Sequence, residues 1–212
     1  MRHAGAGRVG LSGGTTLVDR AICRAERHLV PDERWGIWSH AFVFEGARVD
    51  DQHWLIESDL QILRRHIQLG VQENRIDKYF DEQIYPNLAV LDFELGPGMT
   101  KAVVAGGLDL AANHARYSLR ELAGTLLALK NPALRGRGNL LARGNSLFCS
   151  ALVQHLFRRA GLDLAPGIDL KNTTPEDLAR TPVPHRAWVL QRAEWGDKPP
   201  VRGHLPRALG AG

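Results

Sequence analysis

Three residues that together can carry out nucleophilic chemistry stand far apart in this chain: Cys149, His40 and Glu57. The cysteine lies in Gly144-Asn145-Ser146-Leu147-Phe148-Cys149-Ser150-Ala151-Leu152-Val153. Phe148, Leu152, Leu156 and Ala160 recur every fourth residue, which predicts a core-packed helix over 146–160 that stops at Gly161. Asn145 or Ser146 is the expected N-cap. Cys149 then falls in the first turn. There the unpaired backbone N–H groups and the positive end of the helix dipole favour a thiolate, the nucleophilic form of the side chain. The N–H groups of Cys149 and Ser150 are candidate donors to an oxyanion. The position equally suits a small buried apolar residue, the common fate of a free cysteine.

A cysteine nucleophile needs a base. Of nine histidines, His40 stands at the head of the apolar run Ser39-His40-Ala41-Phe42-Val43-Phe44, just after Trp35 and Trp38. A strand would hold its ring rigidly and the tryptophans would exclude water, although a strand histidine bonded to a carbonyl has the same pattern. Glu57 closes the next apolar run, Trp54-Leu55-Ile56-Glu57. In an antiparallel hairpin the end of the second strand returns to the start of the first. Glu57 can then accept the far N–H of His40 and fix its tautomer, the third role beside nucleophile and base. Asp50 and Asp59 are rival carboxylates, His53 is a rival orienter, and Glu57 also reads as a solvated strand end.

These segments resemble the circularly permuted NlpC/P60 family of papain-like cysteine hydrolases, the YiiX/YaeF-like group. Trp38-Ser39-His40-Ala41-Phe42-Val43-Phe44 is similar to the family's Ser-His-hydrophobic strand, and Leu55-Ile56-Glu57-Ser58 to its strand end. Phe148-Cys149-Ser150-Ala151-Leu152-Val153 is similar to its Cys-Ser-Glu-hydrophobic-Val helix start, and 173–178 to the Thr-Pro-x-Asp segment that follows. The order His, acid, Cys is that of the permuted group. Ala151 departs from the family's glutamate. The helix-like segment around Cys23 stands where the family often has a Gly-Asp strand.

The resemblance implies catalysis by Cys149, His40 and Glu57, with Ser39 and Ser150 beside them and no cofactor. It implies cleavage of a peptide amide of the peptidoglycan type or a lipid acyl bond, by hydrolysis or acyl transfer. Trp35, Trp38 and Trp54 are candidates to line the substrate pocket. A binding module on the same fold, without catalysis, is the alternative that Ala151 leaves open.

The elements that must position these residues follow from local pattern. A tail over 1–14, a helix over 17–29 capped by Thr15 or Thr16, strands over 37–44 and 53–57, a short helix over 74–82 and a strand over 88–95 are expected. Residues 59–72 fit a bent strand or a helix. Helices over 100–113 and 119–129, a mobile loop over 135–139, a short helix opening at Thr174-Pro175 and a last strand over 186–195 complete the series. The irregular order points to an α+β fold, a small antiparallel sheet packed on helices. The expected organisation is one papain-like domain over 15–195, with 73–130 as a lid or insertion and a loose tail over 196–212.

Bulk properties fit this reading. Hydrophobic residues make up 44% of 212, enough for one real core. The net charge of +4 is modest and its arginines are dispersed, so association with an anionic membrane surface is open while nucleic-acid binding has no motif behind it. Two cysteines are too few for a disulfide framework, and no His/Cys/Asp cluster has metal-ligand spacing. The glycine-rich N-terminus lacks a signal peptide's apolar core. The protein is therefore expected to be made in the cytoplasm. A role as a secreted effector would need a signal-independent route.

Overall fold

The computed structural model describes residues 2–31, 34–63, 66–113, 135 and 148–194. Alternation of apolar and polar residues builds strands β1 (Val9–Gly13), β2 (His40–Ala47), β3 (His53–Leu63), β4 (His66–Arg75), β5 (Asn87–Asp92) and β6 (Arg186–Gln191). All pair antiparallel in one sheet, in the order β4-β3-β2-β1-β5-β6. Helices α1 (Leu17–Ala25), α2 (Pro97–Ala112), α3 (Cys149–Arg159) and α4 (Pro175–Ala179) accompany it. The architecture is the α+β arrangement expected, a sheet packed against helices.

The period of two divides the sheet's side chains between two cores. Val9, Leu11, Ala41, Val43, Ile56, Ala89 and Leu91 join Val103 of α2 and Leu152 and Leu156 of α3 in the larger one. Phe42, Phe44 and Leu55 point the other way and pack with Tyr79 in the smaller. A Cβ on Gly107 would lie 2.8 Å from Ile56 Cδ1, so this glycine lets α2 settle against β3.

Two expectations are corrected. Residues 1–14 are not simply a tail, because β1 is an interior strand between β2 and β5. Its glycines are packing devices: a Cβ on Gly10 would lie 2.0 Å from Phe42 Cε2, and one on Gly13 2.0 Å from the Ile37 carbonyl oxygen. Of the expected lid or insertion over 73–130, residues 114–130 lie outside the described residues, and 73–113 is no lid. It completes β4, makes a 3-10 turn at Ile76–Phe80, and supplies the interior strand β5 and the core helix α2.

Of the undecided stretch 59–72, residues 59–63 belong to β3 and 66–72 to β4. The helix expected over 74–82 is only that 3-10 turn, and the first helix ends at Ala25 before a second 3-10 turn, Glu26–Leu29. The expected helix over 119–129, the loop over 136–139 and the tail over 196–212 lie outside the described residues.

Candidate active site

The hairpin register decides what His40 meets. Phe42 stands opposite Glu57, and His40 shares the face of Phe42, so Glu57 is a diagonal neighbour of the histidine. His40 Nε2 lies 2.8 Å from Glu57 Oε2. Nδ1 is then the nitrogen left for another partner, and the Cys149 side chain lies near enough to the ring to raise its proton affinity. The structure thus brings together the cysteine, histidine and glutamate singled out from the sequence.

The helix bearing the cysteine starts later than expected. Phe148, extended and buried, is the N-cap residue, and no side chain caps the helix. Cys149 is therefore its first residue. The first intrahelical bond runs from Leu152 N to Phe148 O at 2.8 Å, so the N–H groups of Cys149, Ser150 and Ala151 have no acceptor within the helix. Ser150 is fully buried and its Oγ donates to Thr173 O at 2.8 Å, tying this turn to the chain leading into α4. Its hydroxyl is committed there, so only its backbone faces the role suggested from sequence.

Glu57 is fully buried and accepts four hydrogen bonds. Oε2 takes His40 Nε2 and the Tyr79 hydroxyl at 2.5 Å; Oε1 takes Asn74 Nδ2 at 2.5 Å and Lys78 Nζ at 2.6 Å. Lys78 Nζ also donates to Asp59 Oδ2 at 2.5 Å. Burial alone would raise the Glu57 carboxyl, but the hydrogen bond and charge of His40, then the Lys78 ammonium, outweigh it and hold the group ionised well below the usual carboxylate range. His40 shows the converse balance. Burial lowers it, yet charge and hydrogen bonding from Cys149, followed by Glu57, leave it well above the ordinary imidazole range. The arrangement favours a protonated imidazole between a sulfur and a carboxylate.

Asn74, Lys78 and Tyr79 were missed from sequence. They come from the end of β4 and the 3-10 turn, within the stretch 74–82 that the local pattern predicts as a short helix. Lys78-Tyr79, a cation and a buried aromatic side by side after a strand, was the one available signal.

The remaining candidates divide. Ser39 is buried; its Oγ donates to Asp19 Oδ1 at 2.7 Å and accepts from Gly14 N at 3.0 Å, so it braces the loop before His40. Trp35 and Trp38 line a cavity of about 470 Å³ together with Arg34, Glu176 and Arg180. Trp54 lines a separate, shallower cavity of about 360 Å³ with Asn74 and Lys78, under the Arg48 guanidinium at 4.0 Å. The three tryptophans therefore do not share one pocket. Cys23 is buried with Sγ 3.5 Å from Trp38 O, and burial, then the charges of Glu26 and Asp19, push its thiol well above its usual range. That environment opposes nucleophilic reactivity.

The crystal structure of metalloprotein YiiX from Escherichia coli O157:H7, DUF1105, is similar to this chain with a TM-score of 0.56, covering 88% of this chain and 97% of that one. The fold is that of YiiX. Sequence identity is 10%, so the likeness to YiiX carries the fold and nothing finer. No family profile and no curated protein matches the chain.

Proposed function

We propose that this protein is a thiol hydrolase or acyltransferase of the permuted NlpC/P60 type. The observation that carries the reading is His40, set beside Cys149 and bonded to a buried, ionised Glu57. His40 takes the proton from Cys149 Sγ, and the thiolate attacks an acyl carbonyl carbon. The tetrahedral oxyanion is met by the backbone N–H of Cys149 or Ser150. Protonated His40 then gives its proton to the leaving oxygen or nitrogen as the C–O or C–N bond breaks, leaving an acyl-thioester. Water, or another nucleophile deprotonated by His40, releases the acyl group. Glu57 keeps the ring oriented and stabilises its charge.

Phospholipid vesicles and muropeptides incubated with wild type and Cys149→Ala, followed by mass spectrometry, separate the two substrate classes. Products made by wild type and absent with Cys149→Ala support the assignment; products persisting with the variant overturn it.

YiiX is described as a metalloprotein. Among the described residues no group of three or more His, Cys, Asp or Glu side chains is disposed to hold a metal ion. Glu57, the acid nearest His40, already has all of about four lone-pair positions engaged, one by an ammonium. The residues present do not fit a metal at this site, and no step runs through one.

A further inference from the structure

Beside Cys149, charged side chains alternate along a continuous bonded path to the surface: His40, Glu57, Lys78, Asp59. Lys78 holds the carboxylate oxygen that His40 does not use, and Asp59 holds Lys78 from the solvent side. Glu57 is fully buried, whereas the side chains of Lys78 and Asp59 are 21% and 24% exposed, so the path leaves the core at this pair. We propose that Lys78 and Asp59 are positioning residues that act through Glu57 with opposite signs, together setting the pH range over which His40 keeps its proton. The inference rests on the catalytic reading above and goes beyond it by naming what tunes the base.

The charges along this path add at His40. A lone buried carboxylate beside His40 would hold the imidazolium too firmly for it to surrender a proton to a leaving group. An ammonium on the far oxygen spreads the carboxylate's charge and repels the imidazolium, weakening its grip on the proton. Asp59 partly cancels that ammonium. A unit charge about 7 Å away, screened by an effective dielectric of about 40, moves a titration by about one pH unit. Asp59 is partly solvated, which screens its effect.

The other groups facing this chain are Cys149 from α3, Tyr79 beside the imidazole with ring centroids 6.4 Å apart, Tyr85 against Tyr79, and Asp19, bonded to Ser39 next to His40. The tyrosines are pushed up, Tyr79 well above its usual range, by burial first and then chiefly by the charges of Glu57 and Asp59, with Lys78 opposing at Tyr85. They are hydrogen-bonding and packing groups over the range in question, and among the described residues Lys78 is the cation bonded to Glu57, with Asp59 bonded to it in turn.

The test is the imidazole ¹⁵N NMR titration of the full chain between about pH 5 and about pH 11, with His40 assigned by its loss in His40→Gln. The His40 midpoint should move up by about one pH unit in Lys78→Met and down by about half a unit in Asp59→Asn. It should stay near the wild-type value in Lys78→Arg, which keeps the charge. A merely structural role would not move the two neutralising variants in opposite directions. Should Lys78→Met fail to fold, Asp59→Asn, altered at a partly exposed position, carries the test alone. Unmoved midpoints, or shifts of the same sign, overturn the inference. Loss of Cys149 reactivity in His40→Gln, measured on the same samples with iodoacetamide, reports separately on the catalytic reading.

Discussion

Glu57 Oε2 lies 2.8 Å from His40 Nε2 across a hairpin in which the two residues are diagonal rather than directly paired. The contact depends on strand register. A slip of one residue would turn Glu57 to the opposite face, among the residues packed under α2 and α3. The buried contacts of Leu55 and Ile56 on the two faces hold the register, and Asn74, Lys78 and Tyr79 lock the carboxylate once it is set.

Replacing Glu57 by Gln removes the charge while keeping the shape. His40 should lose proton affinity, and iodoacetamide labelling of Cys149 near pH 6 should fall about tenfold, one pH unit's worth. Mass spectrometry of the modified peptide measures it. An unchanged rate would mean that Glu57 only fills space.

Tyr79→Phe should cost about 1–2 kcal/mol of stability, because it deletes a donor to a buried charge while keeping the stack on Phe42, whose ring centroid is 4.6 Å away. Urea denaturation at neutral pH checks this, and a change within about 0.3 kcal/mol would contradict it.

A second buried acid makes a pH-dependent prediction. Glu26 is fully buried; its Oε1 accepts from Glu176 N at 3.2 Å, while Oε2 and Glu176 Oε2 are buried with no hydrogen bond. Burial, then the charge of Glu176, raises Glu26 well above the usual carboxyl range. A carboxyl raised by folding binds its proton more tightly in the native state, so stability is lost as pH climbs from the unfolded value toward the folded one. Glu26→Gln escapes that loss. It should stabilise the protein by roughly 1–3 kcal/mol at neutral pH, with the gain vanishing toward about pH 4. Thermal melts across that range test it; a gain independent of pH would point to packing instead.

Gly10→Ala should disrupt the smaller core, since its Cβ would run into the Phe42 ring, which also packs on Tyr79. A loss of about 1–3 kcal/mol is expected, together with slower labelling of Cys149 as the Tyr79–Glu57 contact shifts. Retained stability and retained labelling would show that the ring moves freely.

The hairpin carrying His40 and Glu57 was legible because its apolar alternation is strong and short-range, and the cysteine helix because its i, i+4 stripe is long. Strand β1 was not. Gly10 and Gly13 resemble tail composition, and only the neighbouring Phe42 ring and Ile37 carbonyl reveal why no larger residue fits there. The start of α3 was misread for a similar reason: Phe148 caps by backbone geometry and burial, without the side-chain oxygen that marks an N-cap in sequence. Asn74, Lys78 and Tyr79 act through tertiary contacts with a residue about twenty positions away, a distance at which local periodicity says nothing.

The most direct measurement is iodoacetamide labelling of Cys149 against Cys23 at about pH 6 and about pH 8, in wild type and in His40→Ala. Fast labelling of Cys149 at the lower pH, lost in His40→Ala, with Cys23 inert throughout, is the predicted result. Equal, slow labelling of both cysteines, unaffected by His40→Ala, would contradict it.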